Sequence, residues 1–383
     1  MTSDSNDLWL RNWASVESVL GGCLAIDRLA FATGAMRRRR AVRDGSQLLR
    51  MALNYAAGGQ SLRTAAGWSG AVLDVSLSDP ALIGRLGNCG DFLASIVGQL
   101  LALSAGPATA GVGPAAMERW DGPPLRLVDG SMFTGPGKGG VQHRLHATFD
   151  PLRGWFTSLE LTGNGRGSGE NLSRCGIEKA ALVVADRNYC RTGHLRRVVE
   201  GEAFFCVRAG VSSVRMLDPA TGDKITAAAI LAALGEAESA EMTVHLAESR
   251  GVTKASAKPP VVARLVLIKP TQASLAHENA RIERLKIKHL AKPRRDTLAL
   301  AGLMMILTNL PPEEWPAPKI GQLYRLRWQI ELAFKRLKST FEMRAAPNKT
   351  PEMARMWILA NLAATLIARL LASRMAAISP CGT

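Results

Sequence analysis

The chain has 383 residues, 47% of them hydrophobic, enough for a sizeable core and two or three folded units, which marks it as globular. Its formal charge of +16 is lopsided, because residues 1–125 hold 11 Lys/Arg against 10 Asp/Glu while residues 126–383 hold 37 against 22. Such an excess suits a polyanionic partner, nucleic acid or an anionic membrane surface.

Six cysteines (Cys23, Cys89, Cys175, Cys190, Cys206 and Cys381) lie scattered with no CxxC pair. That pattern excludes a zinc ribbon or a disulfide scaffold and fits reduced cytosolic thiols. The opening MTSDSNDLW lacks a basic stretch followed by an apolar one, so no signal peptide is expected. Phe92–Met117 and Met356–Ser373 approach membrane length, but Gln99, Pro107 and Pro114 interrupt the first and Asn361 and Arg369 the second. Both read as buried helices, with no membrane partner.

Residues 1–120 are expected to be mostly helical, with apolar positions at helical spacing in Gln47–Tyr55, Leu62–Trp68, Pro80–Leu86 and Asp91–Leu103. Ser61 and Ser78-Asp79-Pro80 open two of these pieces in the cadence of a helix-turn-helix, a pattern that a plain helical bundle also produces. Arg37, Arg38, Arg39 and Arg40 form a basic cluster suited to phosphates. The Gly/Pro/Ala-rich run Ser104–Ala116 reads as a linker.

From Leu125 the pattern turns to strands. LRLVDGSMF is expected to be a short strand ending in Asp-Gly, followed by a loop, TGPGKGG, and an antiparallel pair, VQHRLHATFD and GWFTSLELTG. A short helix near Gly169–Ile177 leads to ALVVADRN, an apolar strand stopping at Asp186, then a helix over Gly193–Glu200 and a strand over Ala203–Arg208. This order implies an α/β layout with a mixed sheet. Met242–Ala247 and Val261–Ile268 are strand-like, Arg281–Arg295 is basic, and LALAGLMMILTNLP supplies a further strand. The roughly 120 residues that separate Arg208 from Glu331 exceed a loop and imply a β-rich insertion.

A helix is expected across YRLRWQIELAFKRLK. At about 100° per residue, Tyr324, Arg327, Glu331 and Lys338 fall at roughly 0°, 300°, 340° and 320°. Leu323, Leu326, Ile330, Phe334, Leu337 and Phe341 fill the neighbouring arc, so the helix packs with one stripe and offers a carboxylate framed by cations and a phenol on the other. Asp129 and Asp186 stand at strand ends, where ligands gather in α/β sheets. Singly, each acid has a plain reading: a turn residue at Asp129, a helix cap at Asp186, an ion pair with Lys335 for Glu331. Together, three carboxylates repel unless divalent cations neutralise them, and Mg²⁺ fits such oxygen ligands.

The spacing Tyr324, Arg327, Glu331, Lys338, with VDG at Asp129 and VVADRNY at Asp186, resembles the Tyr-Arg-Glu-Lys signature of the IS-four family of bacterial insertion-sequence transposases over roughly residues 45–370. The resemblance implies a ribonuclease-H-like catalytic domain with Asp129, Asp186 and Glu331 as catalytic metal ligands for Mg²⁺, with Mn²⁺ as a substitute. It implies that Tyr324, Arg327 and Lys338 hold phosphates, that the partners are transposon-end DNA and target DNA, and that a homodimer pairs the ends in the cytoplasm, at the nucleoid. The corresponding division is a helical DNA-binding domain (1–120), a catalytic core (121–208 and 298–345), a β-rich insertion (209–297) and a C-terminal helical segment (346–383). The alternative is a catalytically inactive DNA-binding regulator descended from such an enzyme.

Two features depart from the pattern. Relatives that form a hairpin at the transposon end hold a flipped base with an aromatic residue in the insertion; this chain has LMMILTN at the last strand, leaving Met304 or Met305 as weaker platforms. A longer C-terminal dimerisation region found in some relatives is not expected here. His143 and His146, three apart on a strand, face opposite sides and do not suit a zinc pair, and TGPGKGG lacks the GK[ST] of a phosphate loop.

Overall fold

Hydrogen-bonding side chains placed just ahead of apolar runs set where the N-terminal helices begin. Asp44, Ser61 and Ser78 accept from the backbone N–H groups of Gln47, Thr64 and Ala81. The computed structural model describes residues 13–378 apart from 105–119, 137–139, 141, 164, 211–212, 249–257, 271, 273–274, 277–278, 281–282, 285–297, 301, 341–345 and 348–349. Most of Ser104–Ala116, most of Arg281–Arg295, part of TGPGKGG, Phe341 and Cys381 therefore lie outside the described residues.

The chain opens with α1 (Trp13–Val19), α2 (Cys23–Ala32), α3 (Gly45–Ala57), α4 (Leu62–Leu73), α5 (Asp79–Gly87) and α6 (Gly90–Leu103). The last four match the expected helices. α1 and α2 were not among them, and they are held by Val16, Val19, Ile26 and Ala30, all buried against the other helices.

The strands are β1 (Leu125–Thr134), β2 (Gln142–Asp150), β3 (Trp155–Gly163), β4 (Leu182–Ala185), β5 (Phe204–Arg208), β6 (Arg215–Leu217), β7 (Ser239–Ala247), β8 (Val261–Ile268) and β9 (Met304–Thr308). They form one nine-stranded sheet in the order β3-β2-β1-β4-β5-β9-β8-β7-β6. The β1–β4 and β4–β5 pairings are parallel and the others antiparallel. The mixed α/β character expected from the sequence is present. Strands β7 and β8 of the expected insertion continue this sheet, because β9 pairs with β5 on one side and β8 on the other.

Period-two alternation assigns the two faces of the sheet. Leu125, Leu127, Leu182, Val184, Cys206, Val266 and Ile306 join a core with the N-terminal helices. Val128, Val183, Ala185, Phe205, Val207, Leu265 and Leu307 join a second core on the opposite face. That second face is covered by α7 (Thr192–Glu200) and α8 (Ala227–Leu234). Burial on both sides explains why β4 reads as the unbroken apolar run LVVA.

The first face is covered by α9 (Ala317–Arg325), α10 (Trp328–Thr340) and α11 (Pro351–Ile378), with α11 also packing on α3 and α6. By length and composition α11 could cross a membrane, yet 61% of its apolar window is buried inside the protein. The expected apolar stripe is present: Leu323, Ile330, Phe334 and Leu337 are buried.

Two expectations about local structure need correction. β1 does not end at Asp129-Gly130 but runs on to Thr134, because the antiparallel ladder with β2 continues from Asp129↔Ala147 to Thr134↔Gln142. The Tyr324–Lys338 segment is not one helix: Leu326 and Arg327 form a turn between α9 and α10. There the backbone bonds tighten, Leu326 N donating to Leu323 O, Arg327 N to Tyr324 O and Ile330 N to Arg327 O.

A buried ion pair locks the start of β1 to the end of β2. Arg126 donates to Asp150 at 2.8 Å, both side chains being about 5% exposed, and to the more exposed Glu178 at 2.7 Å. Asp150 also accepts from the Leu152 and Arg153 N–H groups. Asp150→Ala is expected to lower the unfolding free energy by about 3–5 kcal/mol, since it leaves a buried guanidinium with the Leu125 carbonyl and the more exposed Glu178 but no buried counter-charge. Glu178→Ala should cost about 1 kcal/mol or less. Urea denaturation measures both, and equal losses would show that burial is not what makes the Asp150 pair matter.

Candidate active site

The parallel register of β1 and β4 brings the two aspartates together. Val128 pairs with Ala185, so the next residues along each strand, Asp129 and Asp186, stand side by side, about 5 Å apart across neighbouring strands. Asp129 continues the alternation of Leu125 and Leu127 and so lies on the face covered by α9 and α10. Asp186 ends β4 and caps the short turn Arg187–Tyr189, its side chain accepting from the Asn188 N–H at 2.8 Å. The plain capping reading of Asp186 and its place beside Asp129 are therefore both realised.

The third carboxylate reaches the pair through an arginine. Arg327, in the turn between α9 and α10, contacts Asp129 at 3.5 Å and donates to Glu331 one turn into α10. Asp129 Oδ1 also accepts from the Gly130 N–H at 2.8 Å. Burial pushes the Asp129 carboxyl up to about 6; the Gly130 amide and Arg327 oppose the rise, and Asp186 and Glu331 add to it. Asp186 is also raised, chiefly by burial, with the Asn188 amide and Arg327 opposing and Glu170 adding. Burial alone would lower the Arg327 guanidinium, yet Tyr324, Glu331 and Asp129 hold it above its ordinary value.

The other signature residues are placed differently from one another. Tyr324 is buried on α9, its phenol pushed up to about 12 by burial against the pull of Arg327 and Arg208. Lys338 donates to the Met132 carbonyl at 2.9 Å and lies 4.7 Å from the Phe133 ring centre, so it pins α10 to β1. Its burial lowers the ammonium pKa.

Among the described residues, no three His, Cys, Asp or Glu side chains are grouped so that they could hold a metal ion. The donor set of Asp129, Asp186 and Glu331 has the hard oxygens that Mg²⁺ prefers, but the Arg327 guanidinium bridges Asp129 and Glu331 in this conformation.

Sequence reasoning missed Glu170 and Trp328. Glu170 pairs with Arg144 and lies so near Gly130 that a methyl group there would meet its Oε1 at 3.3 Å. The short helix expected over Gly169–Ile177 is only the three-residue turn Leu172–Arg174, and the β1–β2 hairpin brings Glu170 to the site. Trp328, next to Arg327, is 49% exposed, with Lys335 Nζ 5.0 Å from its ring centre. Its position beside Arg327 in the signature was the available clue.

Away from this site, Arg37, Arg38 and Arg40 line a recess between α2 and α5, while Arg39 bonds Asp27 and the Arg43 carbonyl and covers Phe31. Met305 is buried in the second core and Met304 half-buried against the first. His143 and His146 are buried, bonded to the Pro351 carbonyl and the Thr162 hydroxyl respectively.

The Transposase DDE domain family matches residues 120–367, which contain the whole constellation. The chain belongs to this transposase family. It is 37% identical to the transposase for insertion sequence element IS421 of Escherichia coli over 365 residues, 93% of this chain and 92% of the relative. The InsL protein of insertion sequence element IS186A of Escherichia coli K12 is equally similar, 37% over 364 residues with the same coverage of each chain. A shorter match, 39% over 87 residues, links 22% of this transposase with 18% of that for IS231F of Bacillus thuringiensis subsp. israelensis.

The raised Asp129 value makes a stability prediction. Between pH 3.8 and about 6 the native state keeps a proton that the unfolded chain has released, so stability falls as pH rises through that window. Asp129→Asn should therefore stabilise the transposase at pH 7.5 in metal-free buffer by on the order of 2 kcal/mol and do little at pH 3.5. Urea denaturation at the two pH values checks this, and an equal effect at both would refute the burial penalty.

Proposed function

We propose that the protein is a DNA transposase of the IS-four kind, which cuts at the ends of its insertion sequence and joins those ends to target DNA in one site. The observation that carries this reading is the placement of Asp129 beside Asp186 in neighbouring parallel strands, with Arg327 bridging Asp129 to Glu331, within the family match. A ribonuclease-H-like core is supported by the parallel β1, β4 and β5 flanked by the β1–β2–β3 meander.

Asp129, Asp186 and Glu331 would hold Mg²⁺, or Mn²⁺ in its place, once Arg327 has swung away from the carboxylates. When bound, the metal supplies charge neutralisation at the phosphoryl group and activates the attacking water or 3′-hydroxyl. The planar guanidinium of Arg327 suits a phosphate oxygen pair as well as it suits a carboxylate, so DNA offers it a second partner. Tyr324, buried against Arg327, fixes the turn from which that guanidinium projects. Lys338 holds α10 on β1 and so keeps Glu331 over Asp129. Trp328 offers the exposed stacking surface that Met304 and Met305 do not. The active form is a homodimer bridging two transposon ends in the cytoplasm, at the nucleoid.

Purified protein incubated with Mg²⁺, the element's end sequence and a target plasmid should yield joined product. Binding without product would instead identify an inactive regulator, and cutting without joining a nuclease. Alanine at Asp129, Asp186 or Glu331 should reduce product to background while end binding persists, because many phosphate contacts remain. Arg327→Ala should also lower the slope of log affinity against log salt by about one. A carboxylate variant that cuts at the wild-type rate would remove that residue from the catalytic set.

A further inference from the structure

The recess beside the N-terminal helices is a second cationic site, sharing no residue with the carboxylate constellation. It measures about 470 Å³ and is lined by Arg37, Arg38, Arg40, Arg85 and Asn88, with the Gly34–Ala35 backbone at its edge. The loop carrying three of these arginines is pinned at both ends. Met36 and Val42 are buried in the core, Met36 N donates to Ala30 O at 2.9 Å, and Gly34 turns the chain with a φ of 75°. Arg85 arrives from elsewhere in the chain, in the last turn of α5.

The four consecutive arginines divide their work. Arg39 turns inward to Asp27, the Arg43 carbonyl and the Phe31 ring, and holds the loop in shape. Arg43 is matched by Asp74. Arg37, Arg38, Arg40 and Arg85 form no ion pair with any described residue, and no carboxylate is among the described residues that line the recess. Four like charges facing one space repel, and an anion with several oxygens would relieve that repulsion.

We propose that this recess binds the phosphodiester backbone of duplex DNA, with Arg85 and Asn88 from one segment and Arg37, Arg38 and Arg40 from another gripping consecutive phosphates. The guanidinium fork matches phosphate oxygens in pairs, and the volume admits a phosphodiester with its flanking sugars. This assignment rests on the transposase reading and makes the N-terminal helices a positioning grip, since backbone contacts set register without reading bases.

Fluorescence anisotropy on a duplex of the element's end and a random duplex of equal length, across 50–200 mM salt, tests it. Arg38→Ala and Arg85→Ala should each weaken both duplexes several-fold and lower the salt slope by about one, with no fall in thermal midpoint, because neither side chain is paired with a described residue and each loss eases like-charge repulsion. Arg85→Lys should keep the slope. An unchanged slope in the Arg38→Ala/Arg85→Ala double variant would overturn the site while leaving the enzyme a DNA binder. A loss confined to the end duplex would overturn the phosphate assignment in favour of base reading. Wild-type protein that binds neither duplex would overturn the transposase reading itself.

Discussion

The parallel pairing of β1 with β4 is the constraint on which the site depends. It aligns Val128 with Ala185, and every later placement follows from that register. A shift by one residue would turn Asp129 to the opposite face, away from Arg327 and Glu331. The register is held by burial of both faces: Leu127 and Val184 are enclosed in one core, Val128 and Ala185 in the other. Packing that looks purely structural therefore sets the distance between two acids.

Bringing acids together in a half-buried place has an electrostatic cost, and the fold offsets it locally. Arg327 serves Asp129 and Glu331, while Arg144 serves Glu170. A divalent cation would compete with Arg327 for the same oxygens, and a DNA phosphate would compete with the carboxylates for Arg327. In the proposed reaction these two competitions favour one another, and by linkage each ligand then raises the affinity of the other by the same factor. The protein would then assemble its chemistry mainly where DNA is already held.

Much of this was legible in the sequence, in proportion to how local the signal was. Asp186 was placed at a strand end because LVVA is an unbroken apolar run, and the α3 to α6 helices because their apolar periodicity is helical, with Ser61 and Ser78 marking the starts of α4 and α5. The continuation of β1 past Asp129 depends on β2, a partner no local pattern reveals. The break at Leu326–Arg327 escaped a reading based on 100° steps because the residues are good helix formers and only the tighter backbone bonds distinguish it. Glu170 and Arg85 come to their sites through tertiary packing, and nothing in their own segments announces it.

The long helix α11 has a bearing on how the molecule is made. It packs against α3 and α6, so a segment that begins at Pro351 completes a core begun near Val16. Contacts that span more than 300 positions form late, so the helices emerging first from the ribosome lack this partner until nearly everything else has been synthesised. During that interval the apolar faces of α3 and α6 stay open, and the arginine-lined recess beside α2 and α5, the proposed DNA grip, has no finished support. Synthesis and competence are thereby joined in time: a nascent chain interrupted before Pro351 would carry the arginines of the recess without the core that presents them.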